Sequence, residues 1–516
     1  MTAFSNGSWD PGSGLKQRTL RLYQVSFIII TMLPFILPVL SVSASNAQSA
    51  SGALNNASLL MRSLKIAALS AIFATILGFS TGMSLWNKNS LPYKLRALLI
   101  FFILLPPYLF TQGWMALSAS PPPGLGFLPA PAGEFWCIFI FATAFAPLAA
   151  LIIGLGHSLM PWPVLESICL SQPPFAAFRI VIFPLLKPFI AASTLIIAML
   201  IMLDGTVPLS LQVPVFATEI TSRFLAGSSA SSVLLDVWPL LFLMLPMGLA
   251  AFKLIKRYSL NDSSAGKTHR CLLPFSSLPA PIKLVLCAGN ACFIFLIGLP
   301  VTGLIRQAFS RANEGLSLHT DGNAVLWSCG IALLTAIISA VFAVPLGAKL
   351  ARSRKVFFAI LAFLPLFIPA SLTGITWATL STKLHAFFAQ MPDGFTIVMA
   401  HLARALPYTL LISIFAWKTF SQKSTRESVF FFRTHIRQRL AIELPIFLLC
   451  FLVAAVISLR ELETSLLTVP PGGQTLPLRV FNLMHYGAGA DVCKLSLLLS
   501  GLLALASVII VKRWPK

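Results

Sequence analysis

Charge is scarce in this chain, and acid scarcer still. Only 10% of its 516 residues are charged, and Asp plus Glu number 15. A soluble protein carries roughly 25%, so the soluble globular class is excluded. An integral-membrane enzyme needs Asp, Glu, His or Cys gathered at one membrane face. The 15 acids and seven histidines are spread along the chain without such a gathering, so no catalytic residue is assigned. Eight cysteines occur without a CxxC or Cys/His ligand spacing, which points to neither a structural metal nor a disulfide framework. A phosphate loop is missing too. Gly266-Lys267-Thr268 has the right ending, but Asn261 stands where the pattern requires Gly. No cofactor is expected, and the chain is expected to hydrolyse no nucleotide itself.

Apolar runs and cations are abundant instead. The chain is 57% hydrophobic with a net charge of +22. The cations lie in short loops between apolar runs, a membrane-orientation signature rather than a nucleic-acid groove. Runs long enough to cross a bilayer fall near 24–44, 65–86, 95–117, 135–156, 183–203, 233–252, 282–304, 325–348, 356–377, 396–417, 442–459 and 495–511. They lack the alternation of barrel strands, so helices are expected. Every second loop, with both ends of the chain, holds 26 of the 37 cations. The positive-inside rule places those loops and both termini in the cytoplasm. The first run has a basic flank and Ser45-Asn46-Ala47 beyond it. Its length, and its counterpart at 282–304, read as a retained helix rather than a cleaved signal.

The two halves repeat. Residues 63–85 align without gaps to 328–350, with Ser63/Ser328, Ile66/Ile331, Ala67/Ala332, Leu69/Leu334, Ala71/Ala336, Ile72/Ile337, Gly82/Gly347 and Leu85/Leu350 identical. Pro107 with Pro369, Pro147 with Pro407 and Pro184 with Pro445 hold offsets of 262, 260 and 261. The expected fold is an all-α membrane protein of about 12 spans in two parallel six-helix repeats. The first occupies 1–255 and the second 281–516, joined by a basic, Pro/Ser-rich linker at 256–280.

One loop also occurs twice. Glu166 precedes Pro184 by 18 residues, and Glu427 precedes Pro445 by 18, the copies lying 261 apart. Each loop is basic, follows one span and ends at a Pro that opens the next, a position where Pro is well tolerated. A short helix there would present a polar docking knob on the cytoplasmic face.

The stretch LSQPPFAAFRIVIFPLLKPFI within the first loop resembles the "EAA" loop of importer-type ABC permeases. Leu170 stands at that pattern's Leu, Ser171 at its Gly, Phe178 at its Phe, Val181 at its Val and Phe183-Pro184 at its Leu-Pro. In the second loop Glu427, Phe432 (at the Gly position), Leu444 and Pro445 correspond. In strict register the acidic position falls on Leu165 and Arg426, with the Glu one residue later in both halves. The resemblance covers essentially the whole chain. A single chain holding both halves is similar to the ferric-iron and thiamine permeases. It implies a permease in a bacterial cytoplasmic membrane, coupled through loops 157–183 and 418–441 to two copies of a separate ATP-binding subunit. An external substrate-binding protein would dock on the outer face. The alternative is a secondary transporter with 6+6 repeats. That class commonly carries a Gly/Asp/Arg-rich loop between spans two and three, and Trp86–Pro92 here contains no acid.

Ionisable groups near a membrane centre are costly and so mark function. Asp204 ends the fifth expected span, and Glu461 and Glu463 end the eleventh. They line a translocation path, or else they sit in interfacial water. Arg404 in the tenth span either faces an aqueous cavity or snorkels outward. His401 beside it reads as a satisfied core residue. The segments 204–232 and 460–494 read as long outer loops, and Trp114 and Trp377 as interfacial anchors.

Overall fold

The computed structural model describes residues 22–32, 51–85, 93–124, 126, 129–158, 173–259, 280–310, 320–352, 364–387, 392, 394–423, 436–485 and 489–513. Every regular element among them is helical. The first half has α1 Leu22–Met32, α2 Ser51–Leu85, α3 Tyr93–Leu104, α4 Pro107–Ala119, α5 Gly133–Ser158 and α6 Phe183–Met202. Short helices α7 Thr206–Ser210, α8 Phe216–Leu225 and α9 Ala230–Asp236 then lead into α10 Trp238–Ser259. The second half has α11 Ala280–Ala308, α12 Thr320–Arg352, α13 Ala370–Phe387, α14 Phe395–Lys423 and α15 Ile436–Arg460. Helices α16 Glu463–Thr468, α17 Leu476–His485 and α18 Gly489–Arg513 complete it.

Eight of these are long and apolar enough to cross a membrane, or nine if α3 and α4 count as one bent span. The protein is an all-α, multi-pass membrane protein. The expected straight span at 95–117 is replaced by a 93° bend between α3 and α4. Pro106 and Pro107 sit at the corner, and neither can donate the N–H that would continue the helix. The run at 233–252 divides between α9 and α10, which leaves an apolar helix of only Trp238–Leu254. The described part of 356–377 is a 3₁₀ turn, Leu364–Phe367, followed by α13.

Packing within each half follows small residues. In lipid, helices gain by close van der Waals approach rather than by the hydrophobic effect, so Gly, Ala and Ser collect where they cross. Ala67, Ala71 and Ala74 of α2 and Ala146, Ala149 and Ala150 of α5 are almost fully buried. A Cβ on Gly82 would lie 2.8 Å from the Ala150 carbonyl oxygen. On the aligned Gly347 it would lie 2.6 Å from Ser413 Cβ, where α12 crosses α14. Helix α6 packs on α2 and α5, and α15 packs on α12 and α14. Each half thus contains a trio of helices of the same order.

The first helix of each half lies on the opposite half. Helix α11 packs along α4 and α2, where Gly303 abuts Leu117 and Asn290 bridges Thr81 and Ser84 at 3.0 and 2.9 Å. Phe27 and Ile30 of α1 bury against Leu346, Trp377, Leu402 and Leu406 of the second half. Tyr23 meets Phe342 edge-on at 5.2 Å.

Two further expectations are overturned. The described residues of 204–232 and 460–494 form helices folded into the protein rather than open loops. Phe216, Ala217 and Ile220 of α8, and Leu476, Leu478, Val480 and Phe481 of α17, belong to the main buried cluster. Each helix starts in the same manner. The Phe216 N–H donates to Ser63 Oγ at 2.9 Å, and the Leu476 N–H donates to Ser328 Oγ at 2.6 Å. Ser63 and Ser328 are an aligned pair, and each satisfies a first-turn donor that the helix itself leaves unpaired. Trp114 and Trp377 are likewise no interfacial anchors, being 3% and 4% exposed. Trp114 packs on Trp136 and Phe139 of α5 at 5.7 and 5.1 Å.

Candidate functional site

Where α6 ends, α7 begins and α15 passes into α16, the fold brings together five ionisable side chains, one of them from α14. Asp204 follows α6 and turns its carboxylate back on the chain. Its Oδ1 accepts the Thr206 N–H at 2.8 Å and the Thr206 hydroxyl at 2.6 Å. Glu463 opens α16 and connects the halves. Its Oε1 accepts the Gly205 N–H at 2.5 Å, and its Oε2 accepts the Ser371 N–H of α13 at 3.1 Å. One side chain therefore holds the first-half turn before α7 and the start of α13.

Two arginines face these acids. Arg404 of α14 donates from Nη1 to the Ile368 carbonyl at 2.8 Å, and its Nε lies 3.8 Å from Glu461 Oε2. Their side chains are only 15% and 11% exposed, so Arg404 points inward and does not snorkel to the membrane surface. Arg460 donates from Nη1 to the Ile103 carbonyl at 3.4 Å. That carbonyl is free for a structural reason, since its helical partner four residues on is Pro107, which has no N–H. The bend in α3–α4 therefore supplies an acceptor that the second half uses.

The structure thus groups Asp204, Glu461, Glu463 and Arg404, predicted as possible path residues, and adds Arg460, Gly205 and Ser371. Three carboxyls against two guanidiniums leave the group one negative charge in excess when all are ionised. Burial, together with the neighbouring acids Asp204 and Glu461, pushes Glu463 up to about 8. Asp204 is likewise pushed up by burial, against the pull of its Thr206 hydrogen bonds. His401 is satisfied as expected: its Nδ1 lies 2.7 Å from Ser458 Oγ and its Nε2 2.9 Å from Ser465 Oγ.

The two repeated loops are described only at their ends. Glu166, Leu170, Ser171, Glu427 and Phe432 lie outside the described residues. Phe178 and Val181 lie in a π turn, Phe178–Ile182, which runs into α6. Both pack with Ile182 and Leu186 against Ile153 of α5, which fixes the end of the first loop to the helix trio. Pro184 is exposed at the second position of α6, which continues without a break from the π turn, so that it lies inside the candidate span Phe178–Met202 rather than opening it. Leu444 is 53% exposed, whereas Pro445 lies inside α15, not at its start. Helix α15 begins nine residues earlier, at Ile436, and membrane helices tolerate such an interior proline.

Sequence reasoning missed Tyr108, Gly205 and Ser371 as neighbours of the acids. The only signal available was the proline pair at 106–107, which marks a break but not what packs against it. Comparison with protein-family models, with curated proteins and with solved structures finds no match.

Proposed function

We propose that this chain is the membrane-spanning permease subunit of an ATP-driven importer, working with separate ATP-binding subunits. The observation that carries the proposal is the basic loop repeated at an offset of 261 residues and shared between two halves. The fold supports it in three ways. Each half contains a like helix trio, α2–α5–α6 and α12–α14–α15. Each trio carries its cytoplasmic loop directly before its third helix. The halves meet through a shared apolar cluster and through a buried group of ionisable residues.

In this reading the two loops, 157–183 and 418–441, are gripped by two copies of the ATP-binding subunit. Phe178 and Val181 transmit movement of the first loop to α5 and α6. The halves rock about their seam, and Asp204, Glu461, Glu463 and Arg404 line the passage between them. An external binding protein delivers substrate to the outer face. The chain sits in the bacterial cytoplasmic membrane with both termini inside, in two six-span repeats. The test is co-expression of the tagged chain with ATP-binding subunits encoded beside it. Co-purification in detergent or nanodiscs is expected, together with ATP hydrolysis that rises in the assembled complex. Failure of every such subunit to associate overturns the proposal.

A further inference from the structure

Helix α4 buries four polar side-chain atoms that have no hydrogen-bond partner among the described residues, three of them on one face and the fourth, Trp114 Nε1, on the face turned to α5. Tyr108, Thr111 and Gln112 are 1%, 0% and 6% exposed. The Tyr108 hydroxyl, Thr111 Oγ1 and Gln112 Nε2 have no hydrogen-bond partner among the described residues. Spacing of i, i+3 and i+4 puts the three on one face. The other faces of α4 are taken. Gly113 presses on α11, where an added Cβ would lie 2.5 Å from Pro300 Cβ. Trp114 packs against Trp136 and Phe139 of α5. At 100° per residue the polar stripe lies about 100–160° away from Gly113. It therefore turns away from α11; α7 and α18 also pack on α4.

The energetics argue for an occupant. A buried donor or acceptor left unpaired is destabilising, and the three together would be costly if the face were dry. Native proteins fill such places with water or ligand. The stripe lies close in sequence to an anchor of the charged group, for Arg460 donates to the Ile103 carbonyl five residues before Tyr108. Across the seam, fully buried Thr464 and Ser371 flank the Glu463 tie with hydroxyls that also lack a partner among the described residues.

We infer that the Tyr108–Thr111–Gln112 face is the hydrated, ligand-binding lining of the passage, built for a small polar solute recognised through hydrogen bonds. This inference rests on the permease reading and names the wall of the path and the class of molecule it takes. Arg460 sets the charge at its edge. The three α4 side chains supply neutral donors and acceptors that a solute or its water can use.

The test uses the full chain in nanodiscs with its native cysteines replaced. Single variants Thr111→Cys, Gln112→Cys and Leu109→Cys are exposed to the polar, membrane-impermeant thiol reagent MTSET and followed by intact mass. Leu109 is as buried as Thr111 but lies close to the α11 side of α4. Thr111→Cys and Gln112→Cys are expected to react at least about tenfold faster than Leu109→Cys, because thiol reactivity follows aqueous exposure. Equal, negligible reaction at all three, with full reaction after denaturation, overturns the inference. Should a cysteine variant fail to fold, Thr111→Val with Gln112→Leu serves instead. A dry face predicts that this apolar pair raises stability in denaturant-induced unfolding, which would also overturn it; a hydrated lining predicts no such gain in a folded chain. Co-purification of ATP-binding subunits is read separately, so failure here is distinguishable from failure of the permease reading.

Discussion

Replacing Glu463 should loosen the seam between the halves in a graded way. The carboxylate accepts two backbone N–H groups, from Gly205 at 2.5 Å and Ser371 at 3.1 Å. Glu463→Ala leaves both buried and unpaired, at about 1–3 kcal/mol each, or about 2–6 kcal/mol together. Glu463→Gln keeps one carbonyl oxygen and so one acceptor, and loses about 1–3 kcal/mol. Part of either loss is offset, because removing the acid relieves its burial beside Asp204. The expected order of stability is wild type, then Gln, then Ala. The assay is denaturant-induced unfolding of the purified chain in detergent, followed by tryptophan fluorescence. Because membrane proteins often unfold irreversibly, unfolding rates at fixed denaturant are the safer readout. An Ala variant as stable as wild type, or more stable than the Gln variant, would refute the claim that this carboxylate holds the two N–H groups.

Other outcomes follow from the same structure. A folded-state acid held up to about 8 keeps its proton where the unfolded chain, at the ordinary 4.5, has lost it. Stability should therefore fall as pH rises from about 4.5 to about 8, and Glu463→Gln should make that fall shallower; an unchanged pH profile counts against it. Gly82→Val and Gly347→Val should each destabilise the chain by at least about 1–3 kcal/mol through overpacking. Gly298→Ala, where the new methyl meets open space, should be neutral in the same unfolding assay. Because α1 and α11 each lie on the opposite half, two chains made by cutting within 260–279 should assemble without a covalent link. A tag on the first should recover the second; separate insertion without recovery would contradict the exchange of first helices.

Much of the helix pattern was legible because membrane spans must be long and apolar, and eight of the expected runs are such helices. Aligned pairs also carried more than composition. Gly82 and Gly347 prove to be crossing points, and Ser63 and Ser328 prove to be matching helix-start acceptors. Other features were hidden for physical reasons. A hydropathy window averages over Pro106-Pro107 and cannot register a 93° bend. Helices α8 and α17 are each 10 residues long with one apolar face, too short and too mixed to separate from a polar loop. The grouping of Asp204 with Arg404, Glu461 and Glu463 depends on how two distant segments meet, which no local spacing encodes. The proposed coupling residues rest on the repeat and on the permease resemblance alone, and Glu166, Leu170, Ser171, Glu427 and Phe432 lie outside the described residues.

The central claim is that two repeated loops grip two ATP-binding subunits. Native mass spectrometry of the co-expressed complex tests it most directly, with Glu166→Arg, Glu427→Arg and the double variant beside wild type. The account predicts two ATP-binding subunits per wild-type chain and none on a folded double variant. Glu166→Arg should lose more than Glu427→Arg, because the first loop keeps more of the permease pattern. A complex that never forms, or a double variant that still carries two subunits, would contradict it.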